Sequence, residues 1–121
     1  MSDSTASELS LAATVDRVAV PTGYRGKIVL LSVRCGNDEI IILRGGDLWH
    51  REILRNAETE IRALGFPDAR VDALGGAHLW FEGDTSIVIW GTSDEMGACD
   101  HEYAATLVRA AWPGHTVIVA Q

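Results

Sequence analysis

His50 stands four residues beyond Gly46 in the run Leu43-Arg44-Gly45-Gly46, in the first turn of a segment with helical apolar spacing. An imidazole there can take or give a proton or attack phosphorus, while the free N–H groups of a helix start attract an anion. The positive end of a helix also disfavours a charged ring and so favours the neutral, nucleophilic form. A second strand-to-helix junction, Gly91-Thr92-Ser93-Asp94-Glu95-Met96-Gly97, leads into a helix with His101 near its start. Its glycines allow backbone N–H groups to turn toward one anion, and Ser93 adds a hydroxyl. Lys27, the one lysine beside nine arginines, opens a strand next to Gly26, where an ammonium can reach a bound anion as a point charge. Arg44 ends the neighbouring strand, and its fork can grip phosphate or hold a carboxylate such as Asp47. Together these residues point to chemistry on a phosphoryl group.

Each has a plainer role as well. His50 can serve as a cap bonded to Asp47, and Lys27 can blunt a strand edge. Asp94 and Glu95 oppose an anion unless their carboxylates turn to solvent while their N–H groups turn inward. The loop lacks the Gly-Lys-Ser/Thr ending of a triphosphate-binding loop. His78 and His101 can complete a polar pocket, but the histidines at 50, 78, 101 and 115 show none of the close spacings of a zinc site. No metal and no cofactor is expected. His115 reads as a surface residue, and Trp49, Trp80, Trp90 and Trp112 read as core rather than as ligand-stacking groups.

The elements that must position these groups follow from periodicity and turn residues. Thr14–Val20 alternates as a short strand ended by Pro21-Thr22-Gly23, and Lys27–Val33 is a β-rich apolar run. Gly36-Asn37-Asp38 turns it into a third strand, Glu39–Arg44. Asp47 is the expected N-cap of a helix opening with Leu48, Trp49 and His50, whose Ile53, Leu54, Ala57, Ile61 and Leu64 share one face before Gly65 and Pro67 stop it. Val71–Leu74, His78–Glu82 and Ser86–Trp90 read as three further strands separated by Gly75-Gly76 and Glu82-Gly83-Asp84. A second helix over Cys99–Ala111 ends at Pro113-Gly114, and Thr116–Ala120 forms the last strand. The order β-β-β-α-β-β-β-α-β implies an α+β single-domain sandwich, two main helices packed on a mixed, mostly antiparallel sheet. Residues 1–12 are expected to be a flexible tail and 13–121 the domain.

At 121 residues and 47% hydrophobic, the chain can bury one core and not two. The net charge of −7 argues against a nucleic-acid or anionic-membrane surface, because such binding is driven by Lys and Arg. No basic start with an apolar run marks a secretory signal, and no stretch nears the roughly 18 apolar residues of a membrane span. Cys35 and Cys99 are too few and too far apart for a disulfide framework or zinc motif and read as free thiols. A cytoplasmic monomer is expected.

In order and over most of the chain, from about Lys27 to Val119, these motifs resemble the small phosphohistidine phosphatase family, also called the Janus or Ocnus family. Lys27-Ile28-Val29-Leu30-Leu31-Ser32-Val33 is similar to the family's Lys-led strand, Leu43-Arg44-Gly45 to its Arg-Gly strand end, and Trp49-His50 to its aromatic-His pair. Leu74-Gly75-Gly76 resembles its Leu-Gly-Gly turn. Trp90-Gly91-Thr92-Ser93, Gly97 and Asp100-His101 fall where its Tyr-Gly-x-Ser, Gly and second His lie. The resemblance implies a metal-independent phosphatase acting on phosphohistidine in proteins, with phospholysine as a second candidate substrate. By the same resemblance, His50 is the catalytic residue, Lys27 the phosphate-binding lysine, and Ser93-Asp94-Glu95 the loop whose amides hold the phosphoryl group, with Arg44 orienting that group or the histidine. The chain departs from the pattern where His78 replaces an arginine after the Gly-Gly turn and where the phosphate loop is acidic. The competing reading is a phosphate- or phosphoprotein-binding module that keeps the pocket without turnover; a purely structural domain ranks third.

Overall fold

The computed structural model describes residues 10–47 and 49–120. Its elements in chain order are α1 (Leu11–Thr14), β1 (Val18–Ala19), β2 (Arg25–Cys35), β3 (Asp38–Gly45), α2 (His50–Ala63), β4 (Arg70–Glu82), β5 (Ser86–Trp90), α3 (His101–Ala111) and β6 (Thr116–Val119). The run Ile28–Val33, apolar but for Ser32, is buried throughout and not on alternate residues, because β2 is central and covered on both faces. Ile28 and Leu30 pack with Ala104, Ala105, Leu107 and Val108 of α3. Val29, Leu31 and Val33 pack on the opposite face with Ile53, Ala57 and Ile61 of α2. The strands form one six-stranded sheet in the order β1-β3-β2-β4-β5-β6. Its pairs β2–β3, β2–β4 and β4–β5 are antiparallel, and β1–β3 and β5–β6 are parallel. The expected α+β sandwich on a mixed sheet is therefore present.

Three local expectations are corrected. Thr14–Val20 is not one strand: Leu11–Thr14 is a helical turn capped by the Ser10 hydroxyl, and only Val18–Ala19 pairs, in parallel with β3. Leu11 is fully buried and its N–H donates to Asp38 Oδ2 at 2.8 Å, so the domain begins earlier than residue 13. Residues 1–9 of the expected tail lie outside the described residues. Gly75-Gly76 does not separate two strands; it lies within β4, where the register to β2 shifts between Leu30 and Leu31. Gly75 sits at φ +130°, a conformation side chains resist, and a Cβ there would stand 2.7 Å from the Ala98 backbone.

The third correction concerns the start of α2. Asp47 is exposed and is not its cap; Trp49 is, and the Glu52 carboxylate accepts from the Trp49 N–H at 3.0 Å. Leu48, expected in the first turn, lies outside the described residues. The later helix start is shifted in the same way: α3 begins at His101, and Asp100 accepts from the Tyr103 N–H at 3.1 Å. Both shifts place a histidine at the first helical position.

Candidate active site

Lys27, His78 and Trp90 stand directly opposite one another on β2, β4 and β5 and form one row across the sheet. His50, at the start of α2, and the loop after β5 close over this row. Together they line a cleft of about 400 Å³, with Trp49 at its mouth and Gly91, Thr92, Asp94 and Glu95 along one wall.

His50 is only 5% exposed, and its Nε2 lies 3.3 Å from the Ala77 carbonyl oxygen. A carbonyl can only accept, so Nε2 carries the hydrogen, and in a neutral ring the lone pair is on Nδ1. The ring sits on bare backbone: a Cβ at Gly76 would fall 2.6 Å from His50 Cδ2 and 2.7 Å from Ser93 Cβ. The glycine is thus required by the close approach of an imidazole.

Lys27 makes no ion pair among the described residues, and its Nζ lies 5.7 Å from the centre of the Trp49 ring. Its strand end is held by Tyr24, whose hydroxyl oxygen lies 2.6 Å from the Lys27 carbonyl and 2.8 Å from that of Gly46, and accepts from the Gly46 N–H at 2.8 Å. Gly26 and Gly45 leave room for this phenol, since a Cβ on Gly26 would meet its oxygen at 2.7 Å. Burial raises the Tyr24 phenol above its usual range, with the Gly46 bond opposing and the nearby Asp47 reinforcing the rise. His78 stacks on Trp90 at 4.5 Å and 22°, and stands edge-on to His50 at 6.1 Å. Burial, then the charges of His50 and Lys27, hold its ring below the usual histidine value.

The loop is a closed turn. Ser93 is 2% exposed, and its hydroxyl accepts from the N–H groups of Glu95 and Met96 at 3.2 Å each, while Gly97 N–H donates to the Ser93 carbonyl at 2.8 Å. Ser93 therefore holds the loop from behind and does not line the cleft. The expected cradle of Ser93-Asp94-Glu95 amides is reduced accordingly: Ser93 N–H donates to Gly97 O at 3.3 Å and Glu95 N–H is taken by the serine. Among the described residues the amides of Asp94 and Thr92 are left without an internal partner. Glu95 reaches across to α2, where its carboxylate accepts from the Arg51 N–H at 3.2 Å and pairs with Arg51 Nη2 at 3.4 Å. One of the helix-start amides that an anion would use is occupied by this carboxylate.

Five of the residues singled out in the sequence therefore converge: Lys27, His50, His78, Asp94 and Glu95. His101 lies behind the wall and donates from Nε2 to the Gly91 carbonyl at 2.7 Å, fixing the glycine at φ +83° that turns the chain out of β5. Arg44 is not in the cleft. It is buried under α2, where Nε and Nη2 grip the Glu60 carboxylate at 2.8 and 2.9 Å and the remaining bonds go to the Leu43 and Asp16 carbonyls. Its fork holds a carboxylate, as one of the two sequence readings allowed, but the partner is Glu60 and not Asp47. Trp49, 65% exposed, and Trp90, whose buried indole N–H has no partner among the described residues, belong to the cleft and not to the core. Only the pairing register reveals Trp90, and only the late helix start reveals Trp49. Among the described residues no three His, Cys, Asp or Glu side chains are grouped as a metal site would require. Cys99 is buried and its thiol is pushed up to about 11, chiefly by that burial.

The family model of the Janus/Ocnus family matches residues 12–116, a span that runs from α1 to the first residue of β6. The chain belongs to the Janus/Ocnus family. A search of curated proteins found no match. In this Janus/Ocnus domain the matched span contains every residue of the cleft. No helix among the described residues is long and apolar enough to cross a membrane.

Proposed function

We propose that this chain is a metal-independent protein phosphatase that hydrolyses phosphohistidine, with phospholysine as the second candidate, using His50 as general base or nucleophile. The observation that carries the reading is a buried imidazole, held through Nε2 by the Ala77 carbonyl, in one cleft with the chain's only lysine. Phosphoryl transfer needs positioning and charge stabilisation more than covalent work by the protein. Lys27 would neutralise phosphoryl oxygens, and the Thr92 and Asp94 amides are available to accept-type atoms on the same group. In the general-base course, Nδ1 takes a proton from water, the water oxygen bonds to phosphorus, and the P–N electron pair leaves with a protonated nitrogen. In the nucleophilic course, Nδ1 bonds to phosphorus as the substrate's P–N bond breaks onto its protonated nitrogen, and water then attacks phosphorus, breaks the P–Nδ1 bond and releases phosphate.

The binding-module reading is favoured by one observation, the Glu95 carboxylate on the Arg51 amide, which occupies part of an anion site. The two readings separate on a single assay, the release of phosphate from phosphohistidine and phospholysine model substrates in excess EDTA. Turnover that persists in chelator and falls by about 10²–10⁴ in His50→Ala, with phosphate affinity nearly unchanged, supports the phosphatase. Loss in EDTA with recovery on adding a divalent metal refutes the metal-independent course. An inactive wild type that still binds phosphopeptide assigns the chain to the binding module.

A further inference from the structure

Resting on the phosphatase reading, we infer that Asp94 and Glu95 make the cleft prefer substrates whose phosphoryl group is attached to a protonated nitrogen over phosphate esters and free phosphate. The cleft is charged on two sides. Lys27 and the two imidazoles belong to the sheet and to the start of α2; Asp94 and Glu95 belong to the loop. Glu95 is fixed in place by the backbone and side chain of Arg51, at 3.2 and 3.4 Å. Asp94 is exposed and makes no ion pair or side-chain hydrogen bond among the described residues. The acidic wall does not stand alone as evidence for a ligand. It shares the cleft with His50, only 5% exposed and with one ring nitrogen uncommitted, and with the Trp90 indole N–H, buried and unpartnered among the described residues.

A phosphate ester brings only negative charge, so whatever Lys27 contributes is opposed by the Asp94 carboxylate, unpaired among the described residues, and, less strongly, by Glu95, whose charge Arg51 offsets in part. A phosphoramidate whose nitrogen side is protonated is dipolar. Its phosphoryl oxygens suit Lys27, and its imidazolium or ammonium suits the acidic wall. The same arrangement assists bond breaking, because the P–N electron pair departs readily only onto a nitrogen that already holds its proton. The carboxylates stabilise that cation and transfer nothing themselves; the proton stays on the leaving amine.

The test compares peptides of one sequence carrying phosphohistidine or phosphotyrosine, together with inorganic phosphate, against the full chain and against Asp94→Asn, Glu95→Gln and the double variant. Glu95→Gln keeps an oxygen for the Arg51 N–H and removes only the charge, and circular dichroism checks each fold. Affinities are read by calorimetry on the His50→Ala background, where substrate persists, and turnover on the native background. The wild-type loop should prefer the phosphohistidine peptide, and the double variant should lose at least tenfold of that preference while binding inorganic phosphate more tightly. A preference that is absent from the wild-type loop, or that changes less than tenfold in the double variant, overturns the inference. Absence of turnover from every substrate would instead fail the phosphatase reading, and the affinity ratio would still decide the role of the acidic wall.

Discussion

Gly76→Ala tests the seat of His50 without touching its ring. The new methyl would fall 2.6 Å from His50 Cδ2, 2.9 Å from Nε2 and 2.7 Å from Ser93 Cβ, and both neighbours are buried. Two effects compete. Removing a glycine from the unfolded chain favours folding by about 0.4–1 kcal/mol where the native conformation suits alanine, as it does at Gly76, which has no positive φ. Overpacking costs about 1–3 kcal/mol, and loss of the bond from Nε2 to the Ala77 carbonyl adds about 0.5–1.5 kcal/mol. The clash wins, leaving a net loss of roughly 2–3 kcal/mol, which in a domain of this size lowers Tm on the order of 10 °C. Turnover of phosphohistidine should fall by about 100-fold at temperatures where the variant is folded, because a displacement near 1 Å at a catalytic group can cost that much. Gly114→Ala, with no positive φ and nothing within 4 Å of the added methyl, is the control and should melt at or slightly above the wild type. Thermal melting and phosphate release measure both effects. A Gly76→Ala protein with wild-type Tm and turnover would show that the imidazole is not seated on Gly76, and the account of His50 would fail with it.

Three further outcomes are expected. Lys27→Ala should reduce use of phosphoryl substrates at least tenfold, on the scale of the roughly 1.5–3 kcal/mol of hydrogen bonds to charged groups, with Tm unchanged; normal kinetics would make it a strand-end charge only. Arg44→Ala should do the reverse, costing about 2–4 kcal/mol of stability by leaving Glu60 and the Asp16 carbonyl unpaired while phosphate affinity is retained, and denaturant unfolding beside calorimetry separates the two. Below the usual histidine value of 6.5 the unfolded chain takes up a proton at position 78 before the folded one does, because burial holds the folded ring lower. Stability therefore falls as pH drops through 6.5 and levels off below the folded value, and the Tm of His78→Gln should decline less over that window. Equal slopes for the two proteins would contradict this.

The two main helices and most strands were legible because their apolar spacing reports burial directly. Ile53, Ala57 and Ile61 face the sheet as their spacing requires, and the almost wholly apolar run Ile28–Val33 signals a strand covered twice. Boundaries set by contact were not legible. Gly75-Gly76 has the composition of a strand break, yet it continues β4 because the backbone there must pass close to Ala98 and His50. Asp47 is the better cap by residue type, but the chain turns two residues later, where Glu52 can satisfy the Trp49 N–H. At the site, residue chemistry identified His50 and Lys27, and only pairing could show that His78 and Trp90 complete their row. Arg44 was drawn toward the site by its place beside Gly45-Gly46, and its side chain turns instead to a carboxylate on the far part of α2.

The irregularity in β4 decides which side chains that strand offers to each layer. Before it, Val71 and Ala73 pack with the cluster beneath α2; after it, Ala77, Leu79 and Phe81 pack with the cluster beneath α3. Leu74, 44% exposed, is the residue left out of the pairing, since Leu30 and Leu31 face Gly75 and Ala73. One extra residue has thus reversed the parity of everything downstream, and that reversal is what turns even-numbered His78 toward Lys27. Pairing Leu74 into the ladder opposite Leu30 would slip every later residue by one, set Ala77 opposite Lys27 and turn His78 toward the layer beneath α3, whereas deleting Leu74 would leave Ala73 and Gly75 consecutive and keep His78 opposite Lys27. The chemistry of this fold therefore depends on which residues of one strand enter the ladder as much as on their identities.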